Sequence, residues 1–86
     1  MKNKHDKKKE EMKTRKKVVG RIILVQEERF RMVDDRGKSY LFDLSRKAAV
    51  SASDLQNWSE AKARLVAEYN GEPETETGLV ESIREA

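Results

Sequence analysis

Between Val18 and Leu44 the chain reads VVGRIILVQEERFRMVDDRGKSYLFDL. Three runs rich in β-branched and aromatic residues, the types that fit a pleated strand, are separated here by short polar spacers. The first run is VVGRIILVQ. In the second, Phe30 and Met32 alternate with Arg29 and Arg31, the two-residue period of a strand with one face on a core. In the third, Tyr40, Phe42 and Leu44 share one face, and Ser39, Leu41 and Asp43 the other. Gln26-Glu27-Glu28 is short enough for a hairpin. DDRG closes on Gly37, a residue suited to positive φ. Strands joined this closely form an antiparallel meander, because a parallel crossover needs a dozen residues or more. Gly20, inside the first run, marks a bulge or a sharp bend of the kind small barrels need.

The rest of the chain is less decided. SRKAAVSASDLQNWS breaks the alternation. Ser51 or Ser53 can cap a helix, and Ser51 with Asp54 approximates a capping box. Leu55 and Trp58 would share a face of that helix. EAKARLVAEYNG reads two ways. As a helix it brings Leu55, Trp58, Leu65 and Tyr69 near one stripe, giving an α+β domain with one helix over residues 54–69. As a strand it sets Ala63, Leu65, Ala67 and Tyr69 against Lys62, Arg64, Val66 and Glu68. We favour the strand, because three strands alone leave an open edge and little core. NGEPETETG is a loop, with Asn70-Gly71 as a turn and Pro73 as a breaker. LVESIREA is read as a last strand, with Leu79 and Ile83 together and Val80 opposite. A helix would group all three.

Three strands, a helix and two strands over residues 18–84 resemble the OB-fold, a five-stranded Greek-key barrel. The resemblance rests on the meander, on SASDLQNW and on ARLVAEYNGEPETETGLVESI. An SH3-like barrel has a similar texture. The chain is also similar to short bacterial proteins that share the VQEERFRMVDDRGKSYLFDLS hairpin pair and to which no activity attaches. The resemblance implies a mainly β binding module. Many OB-folds bind oligonucleotides or oligosaccharides across strands two and three, while others join proteins together, and fold alone does not settle which.

Charge divides the chain of 86 residues, which is one domain at most. Residues 1–17 carry nine basic side chains against Asp6, Glu10 and Glu11, a net +6, while residues 18–86 carry a net −3. With Met12 the one apolar side chain after Met1, residues 1–17 are expected to form a disordered basic tail ahead of a domain over 18–86. Lys7, Lys8, Lys9, Lys13, Arg15, Lys16 and Lys17 are the candidate phosphate contacts of such a tail. Arg29, Arg31 and Lys38 could extend the surface over the barrel, with Tyr40 as the aromatic expected to be partly exposed for base stacking. The plainer reading is a solvated tail and five aromatic residues that serve the core. Residues 68–86 carry a net −5, with Glu72, Glu74 and Glu76 in the loop, so contact between tail and loop is expected.

Other chemistry lacks residues. There is no cysteine, which removes disulfides and thiolate metal sites and fits a reducing cytoplasm. No apolar run approaches the roughly 18 residues of a membrane span, and no secretory signal is legible. The one histidine is His5, in the tail, and no Gly-rich phosphate loop or paired-carboxylate motif is present. A domain this small is expected to have little room for a pocket of a few hundred cubic ångströms. We therefore expect no enzyme, no cofactor, no metal, no small-molecule substrate and no membrane contact. The expectation is a cytoplasmic, non-catalytic module that contacts nucleic acid through the tail and the strand-two arginines. The alternative is a protein-interaction or adaptor domain using an edge strand or an apolar patch, with Leu41, Val66 and Val80 facing outward and the tail only solubilising.

Overall fold

The computed structural model of the chain describes residues 16–86. Five strands form one closed barrel: β1 (Lys16–Gln26), β2 (Arg29–Asp34), β3 (Ser39–Leu44), β4 (Leu65–Gly71) and β5 (Gly78–Glu85). A 3₁₀ turn at Arg46–Ala48 and one helix, α1 (Ala52–Ala61), lie between β3 and β4. The order around the barrel is β1-β2-β3-β5-β4, and β1 pairs with β4 to close it. All pairings are antiparallel except β3 with β5. This arrangement is consistent with an OB-like barrel, and it decides residues 65–71 in favour of a strand after a helix that ends at Ala61.

Gly20 is the pivot. Residues 16–20 of β1 pair with β4, and residues 20–26 pair with β2, so Gly20 is opposite both Leu65 and Asp34. The β2 backbone comes so close there that a Cβ on Gly20 would overlap the Val33 carbonyl. The ladder then skips Ile23, with Ile22 opposite Met32 and Leu24 opposite Arg31, a bulge that bends the strand further. β1 starts at Lys16, two residues before the start expected from composition.

The helix follows its cap. Ser51 accepts from the Asp54 amide at 3.2 Å, and the Asp54 carboxylate accepts from the Ser51 amide at 3.0 Å, a complete capping box. Lys62, in the left-handed region at φ 55°, ends the helix. Leu55 is fully buried in the core. Ser51→Ala removes the cap acceptor and should cost about 1 kcal/mol, seen as a lower urea midpoint with unchanged slope.

The core takes Phe30 and Met32 from β2, Tyr40 and Phe42 from β3, Leu65, Ala67 and Tyr69 from β4, and Val80 and Ile83 from β5, with Val18 and Ile22 from β1. Val80 corrects the sequence expectation. It is fully buried with Ile83, and Leu79 is the exposed one. The cause is a second bulge: Ser82 sits opposite Glu68 and Val80 opposite Tyr69, so the backbone register between β4 and β5 steps over Glu81. An extra residue inverts the alternation, so two residues three apart reach the same side. Leu41 and Val66 are half-buried on the outer side.

Candidate functional site

The outer surface of β1, β2 and β3 is read from register. Leu24 lies opposite Arg31, and Arg31 opposite Leu41, so one cross-strand row is aliphatic, cationic, aliphatic. The next row runs Gln26, Arg29, Asp43 and Leu79. Leu24 is 49% exposed and Leu79 42%. Arg29 Nε donates to Asp43 Oδ1 at 3.0 Å, which holds the Arg29 guanidinium above its ordinary pKa by that bond and the adjacent charge. Arg31 donates to Ser39 Oγ at 3.4 Å and meets no carboxylate among the described residues.

The other candidates fare differently. Lys38 Nζ lies 3.4 Å from Glu74 Oε2, and Lys16 Nζ 3.7 Å from Glu72 Oε2. Lys16 and Lys17 are the first residues of β1, opposite Tyr69 and Glu68, and both are exposed. Lys7, Lys8, Lys9, Lys13 and Arg15 lie outside the described residues. The expected contact between tail and acidic loop falls on residues outside those described; Lys16, which pairs with Glu72, belongs to β1. Glu72 and Glu74 face lysines, and among the described residues no group of three or more acidic, His or Cys side chains could hold a metal.

Tyr40 is a correction. It is only 8% exposed, because its ring stacks on Phe42 at 6.1 Å and its hydroxyl donates to Asp34 Oδ2 at 2.8 Å. It offers no free face for a base. Asp34 also accepts from the amides of Arg36 and Lys38, each at 2.9 Å, so one carboxylate organises the whole β2–β3 turn. The Tyr40 bond and these amides hold the Asp34 carboxyl below its ordinary pKa. Burial, with help from Asp34, pushes Tyr40 up to about 12.

A pH dependence follows from these two groups. The Asp34 contribution is present above the ordinary carboxylate range and is lost as pH falls through its depressed value. The Tyr40 contribution is present below pH 10 and is lost as pH rises from there through about 12. Tyr40→Phe should lower the urea midpoint at pH 7 and flatten both limbs of the stability–pH curve. An unchanged alkaline limb would show that Tyr40 does not carry it.

A groove of about 370 Å³ lies between the C-terminal turn of α1 and β1–β2, lined by Arg21, Ile22, Ile23, Val33, Ser59 and Lys62. It corrects the expectation that so small a domain has little room for such a space. Its ionic groups are two cations, and its lining contains no His, Cys or carboxylate. Sequence reasoning passed over Arg21, Ile23 and Leu24. The signal was available: Ile22-Ile23-Leu24-Val25 is four apolar residues in a row, and a half-buried strand can turn only alternate ones inward. Four of the five aromatic residues are buried, and Trp58 is half-buried with Nε1 3.3 Å from Glu85 Oε2. Among the described residues no helix is long and apolar enough to cross a membrane. No protein-family model, no curated protein and no solved structure matches the chain.

Proposed function

We propose that the chain is a non-catalytic protein-interaction module that binds its partner on the outer face of β1–β2–β3. The observation that carries this reading is the Leu24–Arg31–Leu41 row, with Leu79 at the end of the neighbouring row. Aliphatic surface around an arginine without a carboxylate mate is the composition of a protein contact centre. A surface for single-stranded nucleic acid instead needs aromatic faces for the bases, and Tyr40, Phe42 and Phe30 are inside the barrel. Pairing of Arg29 and Lys38 with Asp43 and Glu74 further reduces the positive field on this side.

The test is affinity capture with the full chain and with an Arg31→Ala, Leu41→Ser double variant of matched stability. The expected result is a partner retained by the first in about 0.3 M salt, where surface charge is screened, and lost by the second. A partner held equally by both would place the contact elsewhere.

Nucleic-acid contact is the second reading, and Arg31, which meets no carboxylate, is the observation that favours it. It assigns phosphate contacts to the basic segment and to Arg31. A labelled single-stranded oligonucleotide separates the two readings. Because β1 starts at Lys16, the comparison chain should lack residues 1–15 and keep the strand intact. Steeply salt-dependent binding that the shortened chain partly retains would favour nucleic acid. No binding at low salt by either chain would leave the protein reading.

A further inference from the structure

We propose that two copies of this chain associate by antiparallel pairing of the second half of β1. This edge shares Leu24 with the outer face assigned to the partner above and does not involve Arg31 or Leu41. Beyond Gly20, β1 has β2 on one side only, because β4 pairs no further than Gly20. α1 covers the start of this edge, where Ser59 Oγ donates to the Ile22 carbonyl at 3.5 Å. Residues 23–26 lie beyond that contact. Among the described residues no strand or backbone hydrogen bond from outside the β1–β2 hairpin reaches them.

Strand edges left this way pair with other chains unless charge, proline or cover prevents it. Here residues 23–26 are Ile, Leu, Val and Gln, with Ile23 53% and Leu24 49% exposed. No lysine or proline guards them. The bulge at Ile23 and the helix limit the length available for pairing, which suits one short specific contact better than an extended fibre.

The charges at the two ends choose the partner and the direction. Arg21 precedes the apolar stretch, and Glu27 and Glu28 follow it. All three are exposed, and none makes an ion pair or side-chain hydrogen bond among the described residues. An antiparallel pair about an axis near Leu24 and Val25 sets each Arg21 against Glu27 and Glu28 of the other copy. A parallel pair would set like charge on like. The edge is therefore complementary to itself under a two-fold axis, the requirement for an isologous contact that closes at two copies.

The groove fits the same arrangement. It opens beside this edge, and Lys62 joins Arg21 as its second cation. Neither cation forms an ion pair among the described residues. The tip of the other copy's β1–β2 hairpin carries two carboxylates in a two-residue turn, with Glu27 in the left-handed region at φ 59°. Antiparallel pairing delivers that tip to the groove.

Sedimentation equilibrium of the full chain, from about 10 μM to about 1 mM in low salt, reads the assembly directly. The expected mass rises from 10.0 kDa towards twice that value. Arg21→Glu and Glu28→Arg, each checked for folding by circular dichroism, should weaken the dimer about tenfold. The two variants mixed in equal amounts should form a mixed dimer of near wild-type affinity, since each then meets opposite charge at both ends. Arg31→Ala should leave the dimer intact, so failure of this proposal and failure of the partner reading are separable. A chain that stays at 10.0 kDa throughout would overturn the proposal. A dimer indifferent to both charge reversals, or a mixture no tighter than either variant alone, would also overturn it.

Discussion

Gly20→Ala should remove more than half of the barrel's stability at 25 °C. The added Cβ would overlap the Val33 carbonyl oxygen, and it would stand 2.8 Å from the Val33 carbonyl carbon and 3.0 Å from Asp34 Cα. All three are backbone atoms, so no rotamer relieves the overlap. β1 cannot retreat either, since Gly20 is also opposite Leu65 of β4. We expect a loss of about 3 kcal/mol or more, the upper end for overpacking. A small domain holds roughly 5 kcal/mol in all, at the low end of the usual range. Far-ultraviolet circular dichroism in a urea titration would show the loss. Gly78→Ala is the contrast. Its Cβ would meet the Phe42 ring and the Pro73 side chain, each at 3.1 Å, and side chains can move. A Gly20→Ala protein as stable as the parent would mean that β1 does not cross β2 as described. The same glycine shapes function, because β1 leaves β4 there and so acquires the free edge that we assign to dimerisation.

The barrel was legible where the polypeptide's local chemistry is self-sufficient. Phe30 and Met32, then Tyr40 and Phe42, face the core as their alternation requires. Ser51 and Asp54 form the capping box that their spacing indicates. Leu65 to Tyr69 alternates as a strand, because the left-handed Lys62 ends the helix first. Reading failed at the β5 bulge, while Gly20 did mark the bend in β1. A bulge is decided by the partner strand's path, which no local pattern encodes, and one extra residue inverted Leu79 and Val80. The candidate site was legible in its cations and illegible in their partners. Asp43, Glu74 and Glu72 meet Arg29, Lys38 and Lys16 across strands or from a distant loop, so the charge available to a ligand is smaller than the sequence suggests. Tyr40 was misread for the same reason: its hydroxyl is satisfied by Asp34 across the turn, which lets the ring go inside.

Phe42→Ala should cost about 3–5 kcal/mol, the range for emptying a large aromatic site. Phe42 is wholly buried on β3, between Phe30 of β2 and Gly78 of β5. Its ring centre lies 5.5 Å from that of Phe30, 4.9 Å from Tyr69 and 6.1 Å from Tyr40. Together with the β1–β4 and β3–β5 pairings, it ties the β1–β2–β3 meander to the β4–β5 half, and its loss should lower the midpoint without exposing a separate folding unit. Phe42→Leu keeps most of the volume and should cost roughly 1–2 kcal/mol, which keeps the protein folded for a finer measurement. Gly78 is that measurement. In the parent, an alanine there presses its Cβ on the Phe42 ring edge, 3.1 Å from Cδ1. Leucine at 42 lacks the Cε1 contact and can turn its branched end aside, so Gly78→Ala should cost less in the variant than in the parent, by about 0.5–1 kcal/mol. Urea titration of the four proteins in the cycle gives the coupling. A coupling of zero would show that Gly78 is not kept small by Phe42, and that the parallel β3–β5 seam closes on some other contact.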